Sequence, residues 1–226
     1  MTTPLVYMIR ADFAPEYMDE HHAWYARRHA PDLVGAGFWS ARGFDATTSP
    51  ILWNVYEIPD VAIFSSEAYN GAHRADPFLE TAVKHLKGRT VSVYEQLRIV
   101  DGNGAEAARY PTLRGPVLAS LRLETAAADA AVRAWFDAQV LPRHRGIAGV
   151  RSVRLWEQRE AHPKWPSTEP RWSVGVEWDA EGAAAAADAR GLLRAAAQAG
   201  DLHATLAKVD VVTKRYALVR EDVFEA

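Results

Sequence analysis

The chain contains no cysteine. That excludes disulfides, thiolate metal centres and cysteine nucleophiles, and it fits a reducing, cytoplasmic setting. It also lacks any apolar run of about 18 residues, the minimum for a membrane-spanning helix. Met1–Tyr7 has no charged segment leading into an apolar stretch, so no export signal is expected. Basic charge is not in excess: 26 Lys and Arg stand against 29 Asp and Glu, a formal net charge of -3. Nucleic-acid binding therefore has no electrostatic footprint. There is no His-Glu-x-x-His, no P-loop, no Gly-x-Gly-x-x-Gly after a strand and no Gly-x-Ser-x-Gly. Zincin, nucleotide, dinucleotide and serine-hydrolase chemistries thus lose their usual signatures. The expectation is a soluble cytoplasmic protein that handles a small molecule, with neither a membrane nor a nucleic acid as partner.

What the chain does have is an internal repeat. Trp24-Tyr25 and Pro31 sit opposite Trp135-Phe136 and Pro142 at an offset of 111 residues. Gly37-Phe38 lies opposite Gly149-Val150 at offset 112, and Tyr94–Val100 opposite Thr213–Val219 at 119. Between them Ile51–Ile58 matches Arg171–Trp178 at offset 120, with Glu57 on Glu177, which predicts one shared structural role for the two acids. The drift fits a longer loop in the second copy, Gln158 to Pro170. A repeat of about 100 residues is domain-sized. The boundaries expected are a first unit at 1–100, a linker at 101–115 rich in glycine, and a second unit at 116–226.

Each copy reads strand, helix, strand, strand, helix, strand. In the first, Leu5–Arg10 is followed by a helix from Pro15 to about Val34, then strands Phe38–Phe44 and Ile51–Ile58. Helical stretches Phe64–Tyr69 and Phe78–Leu86 flank a break at Asp76-Pro77, and Thr90–Val100 closes the unit. The second copy repeats this with Val117–Leu123, Ala127–Val140, Val150–Glu157, Trp172–Trp178, Gly182–Ala199 and Val209–Val219. Such a βαββαβ unit is ferredoxin-like, an α+β arrangement with helices on one face of an antiparallel sheet. Two in one chain are expected to cover each other's open faces as a pseudo-dimeric α+β barrel.

The segment Trp24-Tyr25-Ala26-Arg27-Arg28-His29-Ala30-Pro31-Asp32-Leu33, followed by Gly37-Phe38, resembles EthD-type proteins of the dimeric α+β barrel superfamily. Ala72-His73-Arg74-Ala75-Asp76-Pro77-Phe78 resembles the His–Pro–Phe segment of antibiotic-biosynthesis-type monooxygenases in that superfamily. The resemblance covers both halves, more clearly the first. It implies a ligand cavity between helices and sheet, and a range of chemistries that includes cofactor-free oxygenation, cyclisation, isomerisation and haem-dependent reactions. A shared fold does not choose among them.

At about 100° per residue Met18, His22, Tyr25, Ala26, His29 and Leu33 fall on one helical face. His22 and His29 are therefore expected to point at the sheet as acid and base, with Tyr25 orienting them or donating a proton. Buried imidazoles need partners, so satisfied core histidines are the competing reading. The sister helix carries Arg133 and Val140 at those two positions, which points to a single active pocket in the first half. His21 is expected to be solvated, and Arg28 with Asp32 to form a surface or rim pair. Trp24, Asn54, Tyr56, Tyr69, His73 and His85 are expected to shape the substrate site. His144, His162 and His203 each stand alone as weak candidates. His22 and His29 are too far apart along the helix to share one ion, so no metal is expected, nor any organic cofactor. His73 would be an iron ligand only if haem were bound. The function expected is acid–base elimination, isomerisation or cyclisation of a small hydrophobic, aromatic or phenolic molecule. A cofactor-free monooxygenase, a haem protein and a non-catalytic binding module are the alternatives, and the pseudo-dimeric chain could itself pair as a homodimer.

Overall fold

In the computed structural model, residues 3–107, 112–160, 162–165, 167, 169–179 and 183–224 are described. Part of the expected linker (108–111), part of the long loop of the second copy, and Gly182 at the expected start of a helix lie outside them. The first copy runs β1 (Leu5–Phe13), α1 (Met18–Trp24), α2 (Ala30–Gly35), β2 (Ser40–Ala46), β3 (Leu52–Ile58), α3 (Glu67–Arg74), α4 (Leu79–His85) and β4 (Leu86–Asp101). The second runs β5 (Val117–Glu124), α5 (Asp129–Trp135), α6 (Leu141–His144), β6 (Val150–Glu160), β7 (Trp172–Trp178), α7 (Ala183–Gln198) and β8 (Leu206–Val219), with a last turn α8 (Glu221–Phe224).

The strands hydrogen-bond in the closed order β1-β3-β2-β8-β5-β7-β6-β4, the α+β barrel of two ferredoxin-like units that the repeat implies. In each copy the first strand takes the central place. β1 pairs antiparallel with β3 and with β4, and β5 pairs antiparallel with β7 and with β8. Two compact units result: Met1–Tyr94 with Glu160–Thr168 and Lys214–Ala226, and Glu95–Arg159 with Glu169–Thr213. The first unit therefore takes in a short piece of the β6–β7 loop and the chain end.

Period-2 alternation sorts the first unit's sheet. Tyr7, Tyr56, Ile58, Val91 and Val93 meet Tyr25, Leu33, Phe38, Phe64 and Tyr69 in one apolar cluster on the helix side. On the alternate positions Ser40 Oγ donates to Glu57 Oε2 at 2.6 Å, and Arg42 reaches the same oxygen at 2.9 Å. The second unit repeats the motif, with Ser152 donating to Glu177 at 2.8 Å and Arg154 Nη2 at 3.6 Å. Glu57 and Glu177 are thus matched structural anchors. The linker end docks on the second anchor, since the amides of Arg114 and Gly115 both donate to Glu177.

The expected first long helix is interrupted. Between α1 and α2, Tyr25–His29 form a π turn in which the Ala30 amide donates to the Tyr25 carbonyl, five residues back. Phe136–Val140 do the same in the second copy, with Leu141 donating to Phe136. A proline follows each turn by two residues. Pro31 and Pro142 have no N–H to give to the carbonyl four residues earlier, and their rings crowd it, so the helix widens by one residue. The inward positions then become His21, Tyr25, Ala30 and Leu33, spaced by four, five and three. Among the described residues, no helix is long and apolar enough to cross a membrane.

Candidate active site

A cavity of about 200 Å³ lies within the first unit, between the sheet and its helices. The sheet supplies Tyr7, Ile9 and Asn54. The first helix gives His21, Trp24 and His29, and α3 gives Tyr69, Asn70 and His73. Leu79, Ala82 and Val83 of α4 make an apolar wall, and Arg89 of β4 stands beside His162, Lys164 and Trp165, stacked on the Trp165 ring. The last three come from the long β6–β7 loop that only the second copy has.

His29 is held by a carboxylate. Its Nδ1 lies 3.6 Å from Asp76 Oδ2, and the Asp76 side chain is only 2% exposed. The Trp24 indole donates to both Asp76 oxygens at 3.0 Å and stacks on the His29 ring at 4.4 Å. The Phe78 amide closes on Asp76 Oδ1 at 3.1 Å. Burial pushes the Asp76 carboxyl up, yet the hydrogen bonds from His29, Trp24 and Phe78 outweigh it and hold it below its ordinary range. A carboxylate 3.6 Å from Nδ1 favours the tautomer with its proton on that nitrogen, which leaves Nε2 as the basic atom.

The other histidines and the tyrosines around the cavity are neutral at working pH. His73 Nδ1 donates to the Tyr69 carbonyl at 3.0 Å, and its ring sits edge-on to His29 at 5.9 Å. Burial lowers its pKa despite that bond, with His29 and Lys164 adding repulsion. Burial also lowers His21 to about 3 and His162 to about 4. The Tyr69 hydroxyl is pushed up to about 12 by burial, partly offset by Arg89. Tyr7 is raised further, again by burial first. Asn54 is buried and its Oδ1 has no hydrogen-bond partner among the described residues. These are donors and acceptors that hold their protonation state, disposed around one carboxylate-held imidazole.

The expected site residues thus divide. Trp24, His29, Asn54, Tyr69 and His73 come together on the cavity. His22 does not: the π turn rotates it off the face of His29, and it points at Asp45 at 3.5 Å on the side of Arg215. Burial and Arg215 lower its pKa, with Asp45 partly opposing. Tyr25 is fully buried behind the wall, edge-on to Tyr216 at 5.8 Å, and burial raises its hydroxyl well out of reach of ionisation at neutral pH. Tyr56 stacks on Tyr7 in the same core and is likewise raised by burial. His85 stacks on Tyr17 at 3.8 Å, away from the cavity. His21, expected in solvent, is 2% exposed and lines the cavity instead. Arg28 and Asp32 do form a partly exposed pair at 2.5 Å. Asp76, Tyr7, Arg89, Lys164 and Trp165 escaped the sequence reading, and His162 stood there only as a weak candidate. For His162, Lys164 and Trp165 a signal existed, because their loop is present in one copy alone.

The sister half makes a useful contrast. The counterparts of His21 and His29 are Val132 and Val140, both fully buried in an apolar cluster with Phe136, Leu193 and Ala196. The counterpart of Trp24, Trp135, spends its indole N–H on the carbonyls of Ala196 in α7 and of Ala199 just beyond its end. Where the first copy has a polar cavity, the second has packed side chains. Its larger recess, about 490 Å³, is lined by backbone-rich segments with Asp101, Arg151, Glu177 and Asp179 and has no histidine.

Haem ligated by His73 does not fit the described cavity. Tyr69 and His29 rings occupy the space beside His73 at 4.2 and 5.9 Å. The remaining volume is below the roughly 300–1,000 Å³ of pockets for drug-sized ligands, and a macrocycle needs more than they do. Among the described residues, no group of three or more His, Asp or Glu is placed to hold a metal ion.

No protein-family model matches the chain, and no curated protein matches it. Solved structures do match over nearly the whole length. A candidate monooxygenase from Lactobacillus acidophilus NCFM is 12% identical with a TM-score of 0.60, covering 96% of this chain and 97% of its own. An anthrone oxidase-like protein is 11% identical at 0.56, covering 97% and 94%. Chlorite dismutase from Candidatus Nitrospira defluvii is 10% identical at 0.55, covering 96% and 93%. At such identities the likeness establishes the fold: the chain is built as the dimeric α+β barrel proteins are, with both units in one polypeptide.

Proposed function

We propose that the protein is a cofactor-independent oxygenase of a small phenolic or otherwise enolisable aromatic molecule. The observation that carries this reading is the Asp76-held His29 opening onto an aromatic cavity of about 200 Å³. The EthD-like stretch Trp24–Leu33 and the likeness to an anthrone oxidase-like protein support it. His29 Nε2 takes a proton from the activated C–H of the substrate, and Asp76 stabilises the imidazolium that forms. The enolate oxygen is received by neutral donors, of which the Tyr69 hydroxyl is one. The carbanion carbon forms a C–O bond with dioxygen, and the peroxide takes the proton back from His29. Loss of the second C–H proton then breaks the O–O bond, so that one methylene group and one dioxygen give one ketone and one water. No electron donor besides the substrate is needed.

Anthrone, whose methylene is acidified by its ketone, is the first probe. With metal-chelated enzyme in an oxygen electrode, one O2 should be consumed per anthrone, and His29→Gln should lower the rate about 10²–10⁴-fold. If product forms equally fast under nitrogen, the oxygenase reading fails and the same proton abstraction serves isomerisation or cyclisation. The ring of fixed neutral donors that could return a proton to carbon favours that second reading. If neither occurs and His29→Phe raises stability, the protein is a binding module.

A further inference from the structure

Every charged side chain on the cavity wall that is not a histidine is a cation. Arg89 and Lys164 line it, and among the described residues no Asp or Glu does. Asp76 stands just behind His29 and is already engaged by two rings and an amide. Neither Arg89 nor Lys164 forms an ion pair with a carboxylate among the described residues. The Arg89 guanidinium is nevertheless held in place, 3.9 Å above the Trp165 ring. Stacking of that kind orients the planar fork while leaving its N–H groups free for an anion.

A second observation lies beside them. His162 is 5% exposed, stacks on Tyr7 at 5.7 Å and tilts against Phe64 at 4.3 Å. Its Nδ1 accepts the Lys164 amide at 3.1 Å, so the neutral ring carries its proton on Nε2. That Nε2 is buried and has no partner among the described residues. A buried donor without an acceptor costs free energy unless a ligand supplies one. Two unneutralised cations and one orphaned N–H on the same side of a cavity share a single complement, which is an anionic oxygen.

From this placement we infer that the substrate is an aromatic acid, whose carboxylate is received by Arg89, Lys164 and His162. This rests on the reading of the cavity as a substrate site and adds the ionic class of what enters it. The aromatic body lies against Trp24 and Tyr69 near His29, and the carboxylate faces the β6–β7 loop. The second copy thereby completes the first copy's site: its extra loop brings Lys164, Trp165 and His162 to a cavity whose other walls belong to the N-terminal half. Its own helix lacks the equivalents of His21 and His29, so the recognition loop and the base come from different copies.

The test uses a matched pair of probes, 6-hydroxy-2-naphthoate and the isosteric 6-hydroxy-2-naphthamide, titrated calorimetrically into the full chain under nitrogen. The acid should bind at least tenfold tighter than the amide, and the advantage should shrink as salt rises from 20 to 500 mM, since the mouth is solvent-accessible (an order-of-magnitude expectation from screening, over roughly 20 to 3 Å of Debye length). Arg89→Gln and Lys164→Gln should each lose about tenfold for the acid and change the amide less than twofold, in variants whose melting temperature matches wild type (about tenfold being one charge-assisted contact). Arg89→Lys, which keeps the charge and loses the stacked fork, gives an intermediate loss and guards against a folding artefact. Equal binding of both probes, binding of neither, or variants that weaken both alike would overturn the inference. Because no turnover is involved here, an acid preference combined with no oxygen uptake in the anthrone assay would reject the oxygenase reading and leave this one standing.

Discussion

His29 and Asp76 show what residue-level reading can and cannot reach. His29 was legible because a histidine that the sister copy replaces with Val140 is hard to explain by packing. Asp76 was not, since an Asp before Pro77 reads as a helix break and nothing in the sequence announces Trp24 as its partner 52 residues away. Its contribution should be visible in stability. With its carboxyl held below the ordinary 3.8, Asp76 stabilises the fold above that pH and loses the effect as pH falls through the lower folded value. Asp76→Asn should cost about 1–3 kcal/mol at pH 7. Urea midpoints should show that gap closing below about pH 3.8; a gap constant down to pH 2.5 would contradict the assignment. His21 acts with the opposite charge. The unfolded chain protonates it near 6.5, whereas burial delays this to about 3 in the fold. It therefore removes stability progressively as pH drops from 6.5 toward 3. His21→Phe should flatten the melting temperature over that window, and an unchanged pH slope would place His21 in a solvated setting after all.

At the level of elements, the strands were the most legible, because their period-2 alternation survives any neighbour. Trp172–Trp178 was placed without error, and the other strands differ only at their ends: most are longer, while β2 begins at Ser40 rather than Phe38 and β3 at Leu52 rather than Ile51. The first helix was legible as a helix but not as a face. A fixed 100° step carried His22 inward and His21 outward; the π turn at Tyr25–His29 reverses both. The signal was present as Pro31 and Pro142 at matched positions, though a proline alone does not say whether a helix ends, kinks or widens. Glycines separate tight packing from open space within the same unit. A Cβ at Gly175 of β7 would run into the Trp156 ring, whereas one at Gly191 of α7 meets nothing within 4 Å. Gly175→Ala should cost about 1–3 kcal/mol, and Gly191→Ala should add about 0.5–1 kcal/mol by helix propensity. Chemical denaturation of the two variants checks both signs; a destabilised Gly191→Ala would mean that α7 is packed more closely than this.

Across the whole molecule the repeat made the architecture readable. Matching offsets gave two βαββαβ units, and the shared Ser–Arg–Glu anchors at Glu57 and Glu177 show what duplication preserved. The same comparison, extended from helices to loops, would have singled out the loop that brings His162, Lys164 and Trp165 to the cavity. It stayed hidden because a loop's destination depends on tertiary packing that offsets do not record. The proposed function rests on asymmetry: one copy keeps a polar cavity with an imidazole beside a carboxylate, and the other fills the equivalent space with Val132, Val140 and Leu193. In the proposed function, removal of a proton from the bound molecule by His29 is the step on which everything else depends. Deuterium exchange at the methylene of anthrone, followed by proton NMR in D2O under nitrogen, isolates that step from any reaction with oxygen. The wild-type chain should accelerate exchange over buffer, and His29→Gln should lose about 10²–10⁴-fold of that acceleration with its fold intact. Exchange that proceeds as fast with His29→Gln as with wild type would contradict it.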